Sequence, residues 1–271
     1  MTKQIVIFNP AARGEKAQRL RKFLDAHAGP GIALRPTTGP GHARELAAAA
    51  VAEGATTIVA AGGDGTINEV VNGLVPHPVP LGILPLGTAN VFARELGIPL
   101  RLTRAWEVVQ RQRVATVDLG CVEAQGVRRY FVQLAGVGFD ATAIRETSWE
   151  LKKKFGPLSY LWGGLRTLWL WPHAPAVFIG NGRFYGGPFK LFPQAQLADG
   201  RLDICRLPRA SLWGALLVVL GCHTARRDVE YFQTESYEHD GAQPFEVDGE
   251  LAGTTPVRFT VAPRALRVIV P

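Results

Sequence analysis

The sequence predicts an α/β protein whose second half changes to β structure. Short apolar runs alternate with helical patterns as far as about residue 112, whereas later runs of β-type residues are separated only by Gly, Pro and Asp. Of the 271 residues, 47% are apolar, which is enough to bury a core in each of two domains. We predict domains over residues 1–117 and 118–271.

Four strand–helix pairs make up the first half. Strands are predicted at 5–8, 32–35, 57–61 and 81–84, and helices at 15–28, 42–53, after Thr66 and at 89–96, where Gly97 and Pro99 end the last helix. This alternation is typical of a Rossmann-like parallel sheet covered on both faces. Such sheets bind ligands beyond the carboxyl ends of their strands.

The second half predicts a mostly antiparallel β-sandwich with two helical insertions. Strands are predicted at 114–121, 129–134, 177–179, 201–207, 257–261 and 266–270, and helices at 156–170 and 211–221.

Charge and cysteine content narrow the class of protein. The net charge of +7 is concentrated in residues 121–190, which fits an anionic ligand or membrane surface. The basic residues are otherwise scattered without a nucleic-acid-binding module, so we expect no nucleic acid partner. Three cysteines without metal-ligand spacing, no signal peptide and no long apolar run predict a cytoplasmic protein that associates transiently with the inner membrane face. The composition leaves a homodimer possible.

A glycine-rich turn, GGDGT at residues 62–66, follows the third strand and precedes a helix. Glycine lets the main chain approach a ligand closely, and the amide groups at a helix N-terminus favour phosphate. Asp64 is unusual in an anion site, and it is explained if it acts through Mg²⁺ or takes a proton. A purely structural turn would account for one or two glycines but not for three around an aspartate.

A second turn, PLGTAN at residues 85–90, also joins a strand to a helix. Two such turns at one edge of a sheet predict a nucleotide held from two sides, with the Thr88 hydroxyl donating to phosphate.

Together these segments resemble the diacylglycerol kinase catalytic family, which includes bacterial lipid kinases and sphingosine kinases and is more distantly related to NAD kinases. The resemblance covers nearly the whole chain. It rests on the two turns, on Asn9-Pro10, and on the motifs at 117–120, 136–140, 180–183, 198–203 and 247–250. It implies an ATP-dependent lipid kinase, with ATP and Mg²⁺ as cofactors and a lipid as substrate.

The resemblance also implies which residues contact the nucleotide. They are Asn9, Pro10, Ala11, Ala12, Arg13, Thr38, Gly62, Gly63, Asp64, Gly65, Thr66, Ile67, Asn68, Gly87, Thr88 and Asn90. Independently of the resemblance, Thr38 is also compatible with an ordinary turn.

Asp248 and Glu250, separated by Gly249, are the candidate catalytic carboxylates together with Asp64. In extended backbone, residues two apart project to the same side, and such a pair can hold Mg²⁺ or accept a proton from an alcohol. By resemblance Glu250 matches the proton acceptor. Asp-Gly is also a common turn pair.

The resemblance further implies a structural Mg²⁺ in the second domain. Its ligands would be the Asp199 side chain and the carbonyls of Gln196 and Arg201, an all-oxygen set that suits a hard cation. Asp118 matches a carboxylate of the metal–water network near the phosphates.

Two departures from the family pattern affect these expectations. Val91 stands where many members have aspartate after the second turn, and the connection from Trp171 to Val177 is too short for the usual β-hairpin. These departures favour an alternative, a non-catalytic nucleotide or lipid sensor. Retention of all three candidate carboxylates opposes it.

A basic and aromatic segment is the predicted membrane contact. Lys152, Lys153 and Lys154 precede Leu158, Trp162, Leu165 and Trp169, which share one face at helical spacing. Packing of this face against the β domain is the alternative. The segment also opposes a second enzyme hypothesis, an NAD kinase-like protein acting on a soluble nucleotide.

Overall fold

The computed structural model divides the chain into a first unit, residues 1–117 with 264–271, and a second unit, residues 118–263. It describes residues 3–10, 15–27, 29–146, 175–209, 211, 224 and 227–271. The sequence interpretation assigned 264–271 to the second domain. In the structure this segment belongs to the first unit, because Val268 pairs in parallel with Leu81.

The first unit alternates strands and helices. Its elements are β1 (Gln4–Phe8), α1 (Glu15–His27), β2 (Ile32–Pro36), α2 (His42–Ala52), β3 (Thr57–Gly62), α3 (Asp64–Leu74), β4 (Leu81–Pro85), α4 (Val91–Glu95) and α5 (Leu102–Arg111).

Its strands are parallel and run in the order β2-β1-β3-β4, followed by residues 264–269 of the last strand. Every residue of β1, β3 and β4 is buried, as expected for a parallel sheet covered on both faces. Helix α4 starts at Val91 rather than Ala89, since Asn90 has a left-handed φ of 48°. Helix α5 was not predicted.

The second unit is built from antiparallel strands and one described helix. Its elements are β5 (Val114–Ala124), β6 (Val127–Phe131), β7 (Leu134–Gly138), α6 (Phe139–Glu146), β8 (Ala176–Gly180), β9 (Phe184–Tyr185), β10 (Phe189–Lys190), β11 (Leu202–Leu207), β12 (Glu230–Thr234), β13 (Ser236–His239), β14 (Pro244–Val247), β15 (Glu250–Thr254) and β16 (Val257–Ile269), of which β5 and β16 extend into the first unit.

Six strands form one antiparallel sheet in the order β12-β11-β8-β7-β14-β15. Its inner face packs against residues of β5, β6 and β16, with Phe131, Phe245 and Phe259 among the buried side chains of this core. The other face buries a second apolar cluster that includes Phe178 and Phe192. The predicted fold, a parallel α/β unit and a mostly antiparallel β-sandwich unit, is confirmed.

Several element boundaries differ from the prediction. The run at 129–134 is divided between β6 and β7, because the amides of Val132, Gln133 and Leu134 are bonded to the Asp248 carboxylate instead of a strand. The two predicted C-terminal strands are one strand, β16. The predicted helix at 156–170 lies outside the described residues, as does almost all of the one at 211–221.

Candidate active-site residues in the two units

The first glycine turn joins β3 to α3 at the carboxyl edge of the parallel sheet. Gly62 ends the strand, and a side chain there would collide with Thr66, whose Cβ lies 2.6 Å from the position of an added Cβ. Helix α3 starts at Asp64, and its first main-chain amides lack intrahelical partners. This end of the helix is therefore suited to bind phosphate.

The second glycine turn packs directly on the first. A Cβ added to Gly87 would lie 2.7 Å from the Cα of Gly63, and the Leu86 amide donates to the Gly62 carbonyl at 2.9 Å. No side chain fits between the turns without movement of the main chain. The structure thus brings together the two segments for which the sequence predicted a shared role.

The Asp64 carboxylate caps helix α4. Its Oδ1 accepts the amide of Val91 at 2.7 Å and that of Phe92 at 3.4 Å. Burial raises the pKa of Asp64 above its usual value, while these main-chain donors act in the opposite direction. The side chain therefore links the first turn to the helix that follows the second turn.

Asn90 fixes the shape of the second turn. Its side-chain oxygen accepts the Gly87 amide at 2.8 Å and its Nδ2 donates to the Gly87 carbonyl at 2.9 Å. Because Asn90 is buried in these bonds, its role is to hold the turn, whereas the neighbouring Thr88 is exposed. The predicted contact of Thr88 with a phosphate stays a prediction.

Two other predicted contact residues, Ile67 and Asn68, are directed into the first unit. Their side chains are 0% and 1% exposed, and Asn68 accepts the Asn72 side-chain amide at 3.1 Å. Any contact with a nucleotide would have to use the main chain of these residues.

The first two strands end near the same edge. Asn9 and Pro10 follow β1, and the Asn9 amide donates to the Ala61 carbonyl at 3.3 Å. Thr38 follows β2, and its amide and hydroxyl lie 3.0 and 2.9 Å from His42 Nδ1. The Thr38 hydroxyl is thus committed within its loop. Ala11, Ala12 and Arg13 lie outside the described residues.

In the second unit, Asp248 and Gly249 form the tight turn between β14 and β15. Both have positive φ, 47° and 84°, and Asp-Gly is a preferred pair for a two-residue hairpin turn of this kind. The Asp248 carboxylate accepts the amides of Val132 at 2.8 Å, Gln133 at 3.0 Å and Leu134 at 3.1 Å. It therefore holds the β6–β7 turn.

Glu250, the first residue of β15, is more accessible. Its Oε2 accepts a hydrogen bond from Arg129 Nη2 at 2.7 Å, and 48% of the Glu250 side chain is exposed. The ion pair orients the carboxylate while leaving it open to a ligand. Sequence reasoning did not identify Arg129.

The predicted metal-binding residues form a loop network. Asp118 is buried, and its Oδ2 accepts the Gly200 amide at 2.7 Å, while Asp199 Oδ1 accepts the Arg201 amide at 3.0 Å. Within the described residues there is no cluster of three His, Cys, Asp or Glu that could hold a metal. The Mg²⁺ site that the resemblance implies, formed by the Asp199 side chain and the carbonyls of Gln196 and Arg201, stays a prediction.

A buried carboxyl pair, Asp140 and Glu246, was not among the candidate residues. Asp140 belongs to the 136–140 motif, but nothing in the sequence links it to Glu246, which is remote along the chain. Burial raises the pKa of both groups, and their proximity raises that of Glu246 further. Burial thus favours the neutral, protonated form of these two carboxyl groups over the charged form.

No helix in the described part of the chain is long and apolar enough to span a bilayer. Residues 171–174 and the tryptophan-rich segment lie outside the described residues. The missing β-hairpin and the membrane contact therefore stay predictions.

Both units match known protein families. Residues 3–122 match the diacylglycerol kinase catalytic domain, and residues 133–270 match the YegS C-terminal NAD kinase beta sandwich-like domain. A probable lipid kinase YegS-like of Pseudomonas aeruginosa is 35% identical, over 99% of this chain and 94% of its own. The diacylglycerol kinase of Bacillus subtilis is 30% identical, over 100% of this chain and 97% of its own.

A crystal structure of a putative diacylglycerol kinase from Bacillus anthracis has a similar fold, with a TM-score of 0.80, 25% identity, and coverage of 100% of this chain and 95% of that one. The resemblance predicted from the motifs is confirmed. The chain belongs to the diacylglycerol kinase and YegS-like lipid kinase family, and membership implies a nucleotide-dependent phosphotransferase.

Proposed function

We propose that this protein transfers the γ-phosphoryl group of MgATP to the hydroxyl of diacylglycerol or a related lipid. The observation that carries the proposal is the contact between Gly63 and Gly87, which places two glycine turns and the start of α3 at one edge of the sheet. Main-chain amides at such an edge bind a polyphosphate without side-chain obstruction.

In the proposed reaction, the acceptor hydroxyl oxygen forms a bond to the γ-phosphorus as the bond to the β–γ bridging oxygen breaks, and ADP leaves. The hydroxyl proton passes to Glu250, which is exposed and oriented by Arg129. Mg²⁺ would neutralise charge on the phosphates. Thr88 would donate to a phosphate oxygen from the second turn.

Asp64 and Asp248 take different parts in this proposal. Asp64 holds the two turns in register through its bonds to α4, and its carboxylate would act on a nucleotide-bound cation. The Asp248 carboxylate accepts hydrogen bonds from three main-chain amides. We therefore assign proton transfer to Glu250 and a supporting role to Asp248.

The test is incubation with γ-labelled ATP and Mg²⁺ against a panel of acceptors. Diacylglycerol and other lipids with a free hydroxyl are presented in mixed micelles, and NAD is presented in solution. Label in a lipid supports the proposal. Label in NAD alone would establish the NAD kinase-like alternative, and label in none of the acceptors would favour a nucleotide or lipid sensor.

A further inference from the structure

Glu246 is a buried acid inside the β-sandwich unit. It lies on β14 between Phe245 and Val247, which face the core, so its side chain points to the opposite face, where α6 packs. It is 0% exposed. Its Oε2 accepts the amide of Gly249 at 2.7 Å. This bond joins Glu246 to the turn that precedes Glu250.

The other oxygen of Glu246, Oε1, lies beside the Asp140 carboxyl group of α6. Oε1 has no ordinary hydrogen-bond donor, and the two carboxyl groups are bonded to one another. Only a shared proton makes such a bond possible. Asp140 in turn accepts the Tyr185 hydroxyl at 2.5 Å. The result is a chain of bonds from Tyr185 through Asp140 and Glu246 to Gly249.

Gly136 on β7 leaves space for the side chains of Asp140 and Glu246. A Cβ added to Gly136 would lie 2.6 Å from Asp140 Oδ2 and 3.0 Å from Glu246 Oε1. A side chain at position 136 would therefore displace the two acids. The contact between the two acids therefore depends on the absence of a side chain at this position of β7.

The same turn is held at its two neighbouring positions. Asp248 is bonded to the β6–β7 turn, and Glu250 is paired with Arg129. Glu246 supplies the bond to the residue between them. Because it is rigidly buried and Arg129 is partly exposed, Glu246 is the firmer constraint on the direction in which β15 begins.

We propose that Glu246, held by Asp140, is a positioning residue for phosphoryl transfer: it fixes the turn at Gly249 so that the Glu250 carboxylate is presented in one orientation. This inference rests on the proposed function, since it assigns a purpose to the orientation of Glu250. Displacement of a reacting group by about 1 Å can reduce turnover about 100-fold.

Three variants separate positioning from proton transfer. Glu246→Gln keeps an oxygen for the Gly249 amide and supplies NH₂ donors to Asp140, so it preserves both bonds without carrying a proton. Glu246→Met has similar length and makes neither bond. Phe245→Leu is the matched control, because it weakens the same strand in the core while leaving Glu246 in place.

We expect Glu246→Met to lower kcat by at least about tenfold, with KM for MgATP changed less than about twofold. Glu246→Gln should retain kcat within about threefold, and Phe245→Leu should do so when assayed well below its unfolding temperature. Unchanged kcat in Glu246→Met overturns the inference. Equal loss in Glu246→Gln also overturns it, because the proton itself would then be needed.

Amide hydrogen exchange at Gly249 gives a readout independent of activity. Exchange should accelerate in Glu246→Met and stay slow in Glu246→Gln. If the unmodified protein phosphorylates no acceptor, the proposed function fails. The catalytic role of the turn at Gly249 then fails with it, even if hydrogen exchange shows that Glu246 holds the turn. If the unmodified protein is active and exchange at Gly249 is the same in all variants, only the positioning inference fails.

Tyr185→Phe is a milder variant for the case in which Glu246→Met does not fold. It removes the hydroxyl that donates to Asp140 and leaves both acids in place. We expect kcat to fall a few-fold at unchanged KM, with faster exchange at Gly249. Activity and exchange equal to those of the unmodified protein would contradict the inference.

Discussion

The carboxylate of Asp64 accepts the main-chain amide of Val91 at 2.7 Å. A residue of the first glycine turn thereby caps the helix that follows the second. An anion at a helix N-terminus is stabilising, both through hydrogen bonds to unpaired amides and through the helix dipole. Position 91 contributes its main-chain amide to this bond, which is independent of the Val91 side chain.

Replacement of Asp64 should separate its role as the cap of α4 from any role of its negative charge in the nucleotide site. Asp64→Ala removes the hydrogen-bond acceptor, and we expect the free energy of unfolding to fall by about 0.5–2 kcal/mol. Asp64→Asn keeps one acceptor oxygen, so its free energy of unfolding should fall less. If the charge also serves the nucleotide site, both variants lose phosphoryl transfer. Urea unfolding and initial rates measure the two effects, with Asp25→Asn on α1 as the control. Full activity in Asp64→Asn would limit this residue to capping.

Gly87 tests the contact between the turns. In Gly87→Ala the new methyl meets the Gly63 Cα at 2.7 Å, so the turns must separate. We expect a loss of about 1–3 kcal/mol in the free energy of unfolding. Binding of a fluorescent ATP analogue should weaken about tenfold or more.

The control for this experiment is Gly29→Ala, because nothing lies within 4 Å of a Cβ at Gly29. Gly29→Ala should change neither the free energy of unfolding nor the affinity for the ATP analogue. Normal nucleotide binding by Gly87→Ala would show that the close approach of the turns is not what forms the site.

Asp248 is predicted to matter for stability. Asp248→Asn replaces a carboxylate that accepts three amides with a group that has one acceptor oxygen, so buried donors lose partners. We expect a decrease of about 2–3 kcal/mol in the free energy of unfolding. Asp199→Asn, where the carboxylate accepts the exposed Arg201 amide, should change it by less than about 1 kcal/mol. Equal stability of the two variants, measured by urea unfolding, would be inconsistent with the described hydrogen bonds.

The acid pair predicts a distinctive dependence of stability on pH. Because burial raises the pKa of Glu246 well above 4.5, the folded protein keeps a proton that the unfolded chain has released. The contribution of this pair to stability is therefore fully present below pH 4.5 and declines as the pH rises from there through the folded-state pKa of Glu246. Glu246→Gln removes this titration, so its free energy of unfolding should decline less over the same range. Parallel curves for the two proteins would contradict a shared proton.

The sequence predicted the glycine turns and the positions of the first four strands along the chain, because local patterns encode them. Gly-rich turns after apolar runs mark βα junctions wherever they occur. The acid pair of Asp140 and Glu246 escaped prediction because these residues meet only through the packing of α6 on β14. The division of 129–134 into two strands was missed for a similar reason, since it depends on Asp248, which is distant in the chain. Likewise, nothing in the sequence indicated that Arg129 pairs with Glu250.

The most direct test of the account is ³¹P NMR of MgATP and diacylglycerol micelles incubated with the unmodified protein and with Glu250→Gln. Glu238→Gln is the control, because Glu238 is also an exposed acid paired with an arginine, Arg258, at 3.4 Å. We predict a lipid phosphomonoester signal that grows over many turnovers, is slowed about 10²–10⁴-fold in Glu250→Gln, and is unchanged in the control. No lipid phosphomonoester with the unmodified protein, or an equal rate in Glu250→Gln, would contradict the central claim.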